Sequence, residues 1–138
     1  MRRYTHNRFP AMSGEELAAV TDYLEQMALL PGSGEYALSK ILELGAWARK
    51  PLADQLATVT VPMVFYYGDE DWMSPAGAVE VAERTNASVY IKIVQGAGHH
   101  VYMDNPYDLA RSLVEETKRP GRRTEDYQAL MELYPQGW

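Results

Sequence analysis

The chain has 138 residues, 46% of them hydrophobic and 23% charged, which suits one small domain with apolar surface enough for a core. The net charge of −6 and the lack of a dominant basic stripe argue against nucleic acid as a partner, and the absence of cysteine excludes disulfides, thiolate zinc sites and a cysteine nucleophile. No apolar run approaches the ~20 residues of a membrane-spanning helix, and no apolar stretch follows Met1-Arg2-Arg3 as in a secretory signal, so a soluble, cytoplasmic chain without a transmembrane segment is expected.

Ser13-Gly14-Glu15-Glu16 reads as a capping box, in which serine and glutamate each satisfy a free backbone N–H at the helix start. Leu17, Val20, Leu24 and Met27 follow at helical spacing, and Pro31-Gly32 ends the helix. Ser33-Gly34-Glu35 opens a second helix with a Leu38, Ile41, Leu42 stripe and a stop at Gly45. Pro51 begins a short third helix carrying Leu52 and Leu56. The character changes at Val61-Pro62-Met63-Val64-Phe65-Tyr66-Tyr67, a nearly continuous apolar run ended by Gly68, which suits a strand buried on both faces of a parallel sheet. Ser74-Pro75 opens a helix that closes at Asn86, with Val79 and Ala82 facing inward. Residues 88–94 form a second strand, expected to be less buried than the first because Tyr90 and Lys92 alternate with Val89, Ile91 and Ile93. Asn105-Pro106 opens a helix with a Leu109, Ala110, Leu113, Val114 stripe, stopped at Pro120-Gly121. Tyr127 to Tyr134 offers another turn or two of helix.

The order is helices, then strand–helix–strand–helix, the second part being a right-handed βαβ unit with a trailing helix. Two parallel strands alone make a poor sheet, because long edges stay open. The chain therefore reads as part of something larger, and the isolated polypeptide is expected to self-associate. Two basic clusters, Arg2, Arg3 and Arg8, then Lys118, Arg119, Arg122 and Arg123, read as solvated surface, with attraction to anionic lipid headgroups as the alternative.

Functional groups of open α/β sheets gather at the carboxyl ends of strands. Here the first strand runs into Gly68-Asp69-Glu70-Asp71-Trp72-Met73, and the second into Gln95-Gly96-Ala97-Gly98-His99-His100. If the strands are neighbours, a carboxylate meets an imidazole at one sheet edge. The carboxylate fixes the tautomer, and the second ring nitrogen is left to act as a base. Acid before histidine is the order used by α/β-hydrolases, where the nucleophilic serine comes first.

Four blocks carry a resemblance: Pro31-Gly32-Ser33-Gly34-Glu35-Tyr36-Ala37-Leu38; Gly45-Ala46-Trp47-Ala48-Arg49-Lys50-Pro51-Leu52; Val61-Pro62 with Tyr67-Gly68-Asp69-Glu70-Asp71-Trp72-Met73; and Gly96-Ala97-Gly98-His99-His100-Val101-Tyr102-Met103-Asp104-Asn105-Pro106. Together they make residues 3–118 resemble the C-terminal half of an α/β-hydrolase, in the subgroup of lysophospholipid and N-acyl-phospholipid lipases and the lipid-droplet lipase co-activator. The resemblance implies a partial α/β-hydrolase fold, with residues 1–59 as a helical cap segment and residues 60–138 as the C-terminal part of the core. It implies Asp71 as the triad acid and His99 as its base. Animal members often carry an aspartate where Ser74 stands, which favours Asp71, and Asp69 stays open as an alternative acid. It also implies a lipid or acyl-ester substrate, no cofactor, and a peripheral membrane or lipid-droplet surface as the setting.

The nucleophile is missing from the pattern. None of Ser13, Ser33, Ser39, Ser74, Ser88 and Ser112 lies in a Gly-x-Ser-x-Gly elbow. Ser33 is flanked by glycines but bounded by Pro31 and Glu35, and reads as a helix cap. The chain alone is therefore expected to be inactive, with the serine upstream in a longer parent. His99 and Asp104 also fit a His-x4-Asp acyltransferase spacing, in which the histidine deprotonates a hydroxyl and the aspartate orients it. That makes a lysophosphatidate acyltransferase one alternative, and a non-catalytic, lipase-regulating lipid-surface protein another. Adjacent His99 and His100 are poorly placed to converge on a metal, and none is expected.

Overall fold

The first helix has no apolar periodicity to announce it. In the computed structural model, which describes residues 1–134 other than 11, 33, 46, 120 and 122, α1 spans Arg2–Arg8 and turns a polar residue inward. Thr5 is fully buried, and its hydroxyl lies 2.7 Å from the hydroxyl of buried Thr21 on α2 (Gly14–Leu29). Each hydroxyl also has a backbone carbonyl of its own helix within reach, Arg2 at 3.0 Å from Thr5 and Leu17 at 2.6 Å from Thr21, so one hydroxyl donates to its carbonyl and the other donates across the pair. The burial of two polar side chains is thus compensated. At the start of α2 the capping box forms as read: the Glu16 N–H donates to Ser13 Oγ, and Glu16 accepts from the Ser13 N–H. Helix α3 (Gly34–Ile41) stops short of Gly45. Gly45, at φ +90°, instead turns the chain where Leu42 and Ala48 form an antiparallel bridge, so its positive φ serves a tight turn and not a helix end. The cap expected at Ser33 and the stop expected at Pro120 fall outside the described residues.

The chain divides into two compact units, Met1–Pro51 and Leu52–Trp138. The second holds α4 (Leu52–Leu56), β1 (Met63–Gly68), α5 (Ala76–Arg84), β2 (Val89–Val94), α6 (Val101–Asp104), α7 (Pro106–Lys118) and α8 (Tyr127–Leu133). Strands β1 and β2 pair in parallel, with register from Met63↔Val89 to Gly68↔Val94. Helix α5 begins at Ala76, one residue past the start that Ser74-Pro75 signals, so Pro75 is its N-cap, and Ser74 Oγ accepts from the Ala76 N–H at 3.1 Å. It closes at Thr85, one residue before the expected Asn86. Asn105 caps α7 by accepting from the Asp108 N–H, and Pro106 is its first residue.

Side chains of the two strands feed two cores. One gathers Ala78 and Val79 of α5 with Val89 and Ile91, closed over by Tyr127, Leu130 and Met131 of the tail. The other gathers Val94, Ala97 and Val101 with Tyr66 and Leu109. The expected ranking of the strands reverses: β2 has three buried residues, Val89, Ile91 and Val94, whereas β1 is mostly half-buried and Val64 is 36% exposed. The tail covers Val89 and Ile91, whereas Val94 is buried in the second core. The Ile91 N–H donates to Thr124 Oγ1 at 2.8 Å, the Thr124 N–H to the Val89 carbonyl at 3.1 Å, and the Tyr127 hydroxyl to the same carbonyl at 2.9 Å. Arg123 donates to the carbonyls of Asn86 and Ala87 at 3.1 Å, so this member of the basic cluster fastens the entry to β2. Arg122 lies outside the described residues. The α7 stripe is less buried than its spacing suggests, with Leu113 and Val114 about half exposed.

Candidate active site

Parallel pairing brings both strand ends to one edge of the sheet, and the loops that follow meet there. Their approach depends on Gly68. A Cβ at this position would lie 1.9 Å from the Ala97 carbonyl oxygen, so only glycine lets the loop after β2 cross the end of β1. Two backbone bonds tie the loops together, from the Asp69 N–H to the Val94 carbonyl at 3.1 Å and from the Glu70 N–H to the Ala97 carbonyl at 3.0 Å.

Three aspartates surround the histidine loop, and each has a different task. Asp71 faces the ring: His99 Nδ1 stands 3.2 Å from Asp71 Oδ1 and 3.3 Å from Oδ2. The Asp71 side chain is 3% exposed and that of His99 42%. Asp71 Oδ1 also accepts from the Met73 N–H at 2.9 Å, which fixes the carboxylate as the chain turns away. Asp69 faces the backbone, accepting from the Ala97 N–H at 3.0 Å. Burial pushes its pKa up, but backbone N–H donors, those of Ala97 and Gly96 first, outweigh this and hold it below the usual carboxylate value. Asp104, at the end of α6, accepts from the Gly98 N–H at 2.9 Å through Oδ2. Of the two candidate acids, Asp71 is the one the structure sets against His99. Asp104, the partner in the His-x4-Asp spacing, is set against Gly98.

Aromatic rings line the approach. The Trp72 ring centroid is 5.1 Å from that of His99, His100 is 5.8 Å from His99, and Tyr102 is 5.8 Å from His100. Trp72 stays exposed, as do Tyr36 and Trp47 of the first unit. The role of Asp69 is invisible in residue identity alone. Its signal is positional, an aspartate directly after the glycine that ends a strand. Among the described residues, no group of three His, Asp or Glu side chains is placed to hold a metal ion. No helix of the described residues is long and apolar enough to cross a membrane.

Chemically, a buried carboxylate on Nδ1 sets the imidazole tautomer and stabilises the imidazolium once it forms, and Nε2 is the nitrogen left to exchange a proton.

Comparison with known proteins finds relatives named for lipid chemistry. The chain is 38% identical over 112 residues to a 1-acylglycerol-3-phosphate O-acyltransferase of Arabidopsis thaliana, covering 77% of this chain and 27% of that protein. It is 35% identical over 103 residues to the abhydrolase domain-containing protein lid-1 of Caenorhabditis elegans, covering 72% and 28%. It is 29% identical over 100 residues to the human (lyso)-N-acylphosphatidylethanolamine lipase, covering 70% and 29%. The match thus spans little more than a quarter of these relatives' length. No family model and no solved structure matches the chain. The chain is a homologue of these lipid-modifying proteins and fits the α/β-hydrolase lipase subgroup to which the abhydrolase name refers.

Proposed function

We propose that this chain carries the acid and base of a Ser-Asp-His relay in an α/β-hydrolase acting on lysophospholipid or fatty-acyl esters. The serine belongs to a part of the parent protein outside residues 1–138. In this reading residues 1–59 are the cap segment and residues 60–138 the C-terminal part of the core, working against a membrane or lipid-droplet surface from the cytoplasm. The observation that carries the proposal is the Asp71–His99 hydrogen bond at the carboxyl ends of adjacent parallel strands. Similarity to lipases and acyltransferases supports it, as does the absence of any Gly-x-Ser-x-Gly among the chain's six serines.

In the proposed reaction His99 Nε2 takes the serine proton as the hydroxyl attacks the ester carbonyl. Asp71 stabilises the imidazolium that results. The same proton passes to the leaving alkoxide when the tetrahedral intermediate collapses to an acyl-serine. Water, deprotonated by His99, then releases the fatty acid. A second reading differs only in this last step: the hydroxyl of a 1-acylglycerol-3-phosphate replaces water, and acyl transfer results. The acyltransferase name of the Arabidopsis relative favours it.

The test is a chimera in which this chain replaces the matching segment of the human lipase. The expected result is ester turnover that falls about 10³- to 10⁴-fold in kcat, with KM little changed, on His99→Ala or Asp71→Asn. A folded, active chimera indifferent to both substitutions would overturn the relay. His99-dependent turnover of p-nitrophenyl esters by the 138-residue chain alone would overturn the external serine.

A further inference from the structure

The His-x4-Asp spacing asks for an explanation, because its aspartate does not sit against the histidine ring. Between His99 and Asp104 lies a single turn of helix, α6 (Val101–Asp104), closed by the Asp104 N–H donating to the His100 carbonyl at 3.0 Å. One helical turn carries the chain about 5.4 Å and returns it to the same side. The Asp104 side chain is thereby folded back over the loop that the helix has just left. There Oδ2 accepts from the Gly98 N–H at 2.9 Å, in the residue directly before His99. The next residue reinforces the same loop, Asn105 Nδ2 donating to the Gln95 carbonyl at 2.9 Å. From the other strand, Asp69 holds Ala97. Residues 95–98 are thus fastened at successive points by side chains whose acceptors and donors meet backbone groups. The ring that follows them is hydrogen-bonded to Asp71, lies near the Trp72 and His100 rings, and is 42% exposed.

We infer that Asp104 is a positioning residue for His99, acting through the Gly98 N–H as a backbone brace and not as the orienter of an acyltransferase dyad. The inference rests on the reading of Asp71 and His99 as a working pair. It separates from the dyad on one physical point: a brace needs a hydrogen-bond acceptor at position 104, whereas an orienter of an imidazolium needs a negative charge. Asp104→Asn keeps the first and removes the second.

The experiment uses the full chain with ¹⁵N-labelled histidine and follows the hydrogen-bonded Nδ1 proton of His99, assigned by its absence in His99→Gln. The signal is expected in the intact chain, lost in Asp104→Ala and retained in Asp104→Asn. A signal that survives Asp104→Ala overturns the brace and leaves the Asp71 pairing standing. Loss in both Asp104 variants also overturns it, since charge would then be required. Absence of the signal in the intact chain overturns the pairing, and the inference with it. If Asp104→Ala does not fold, amide exchange in the intact chain decides: Gly98 is expected to be protected at least about tenfold relative to an unstructured glycine, the worth of one hydrogen bond. Weaker protection overturns the brace.

Discussion

Asp69 and Asp71 stand two residues apart in one loop, carry the same functional group, and do different work. The reason is direction. Asp69 follows Gly68 at the end of the strand and is aimed across the sheet edge at backbone N–H groups, whereas Asp71 lies past the turn and meets the ring. Because backbone donors hold the Asp69 pKa down in the folded chain, this carboxylate adds stability that is fully present above about pH 4 and fades as the pH falls through its lower folded value. Urea midpoints measured between about pH 3 and 6 should therefore drop on acidification. Asp69→Asn should flatten that dependence, while a profile unchanged by the substitution would remove Asp69 as its source.

The elements around β2 divide the labour between local and distant forces. Caps and turns start and stop the helices, but part of the cover over Val89 and Ile91 comes from a tail more than thirty residues further along the chain. The Ile91 N–H has Thr124 Oγ1 as acceptor, at a place on the strand where another strand would otherwise supply a carbonyl. Thr124→Val keeps the shape and removes the acceptor. It is expected to destabilise the unit by about 1–3 kcal/mol, the cost of leaving a buried donor unsatisfied, and denaturant unfolding measures it. A loss near zero would mean that the tail contributes packing alone. Both faces of β2 follow strand propensity, since Val89 and Ile91 on one and Val94 on the other are β-branched and pack well on a pleated surface.

On the scale of the molecule, the two-stranded sheet is the feature with the largest physical consequence. Among the described residues β1 pairs with β2 alone. Its other edge has no inward charge, bulge or internal proline to discourage pairing, and Val64 beside it is exposed, with Leu113 and Val114 of α7 also open. The 138-residue chain is expected to self-associate in a concentration-dependent way in sedimentation experiments. Val64→Lys should reduce that association by putting a charge on the edge strand. If the variant sediments like the parent, association runs through another surface. The buried hydroxyl of Tyr66, which has no hydrogen-bond partner among the described residues, lies on the same strand. Burial first, then the charges of Glu116 and Tyr90, push its pKa up, so it stays a neutral phenol.

Features that rest on neighbours in the chain are legible from the residues alone. These are the Ser13–Glu16 capping box, the Asn105-Pro106 helix start and the two apolar strand runs. Each is set by hydrogen bonds or steric limits within a few residues. Long-range packing settles which carboxylate faces His99, that Asp104 reaches Gly98, that the tail closes over Val89 and Ile91, and that α1 docks through a pair of threonine hydroxyls. Those outcomes depend on where distant segments cross, and composition and spacing carry no record of the path a loop takes over the end of a strand.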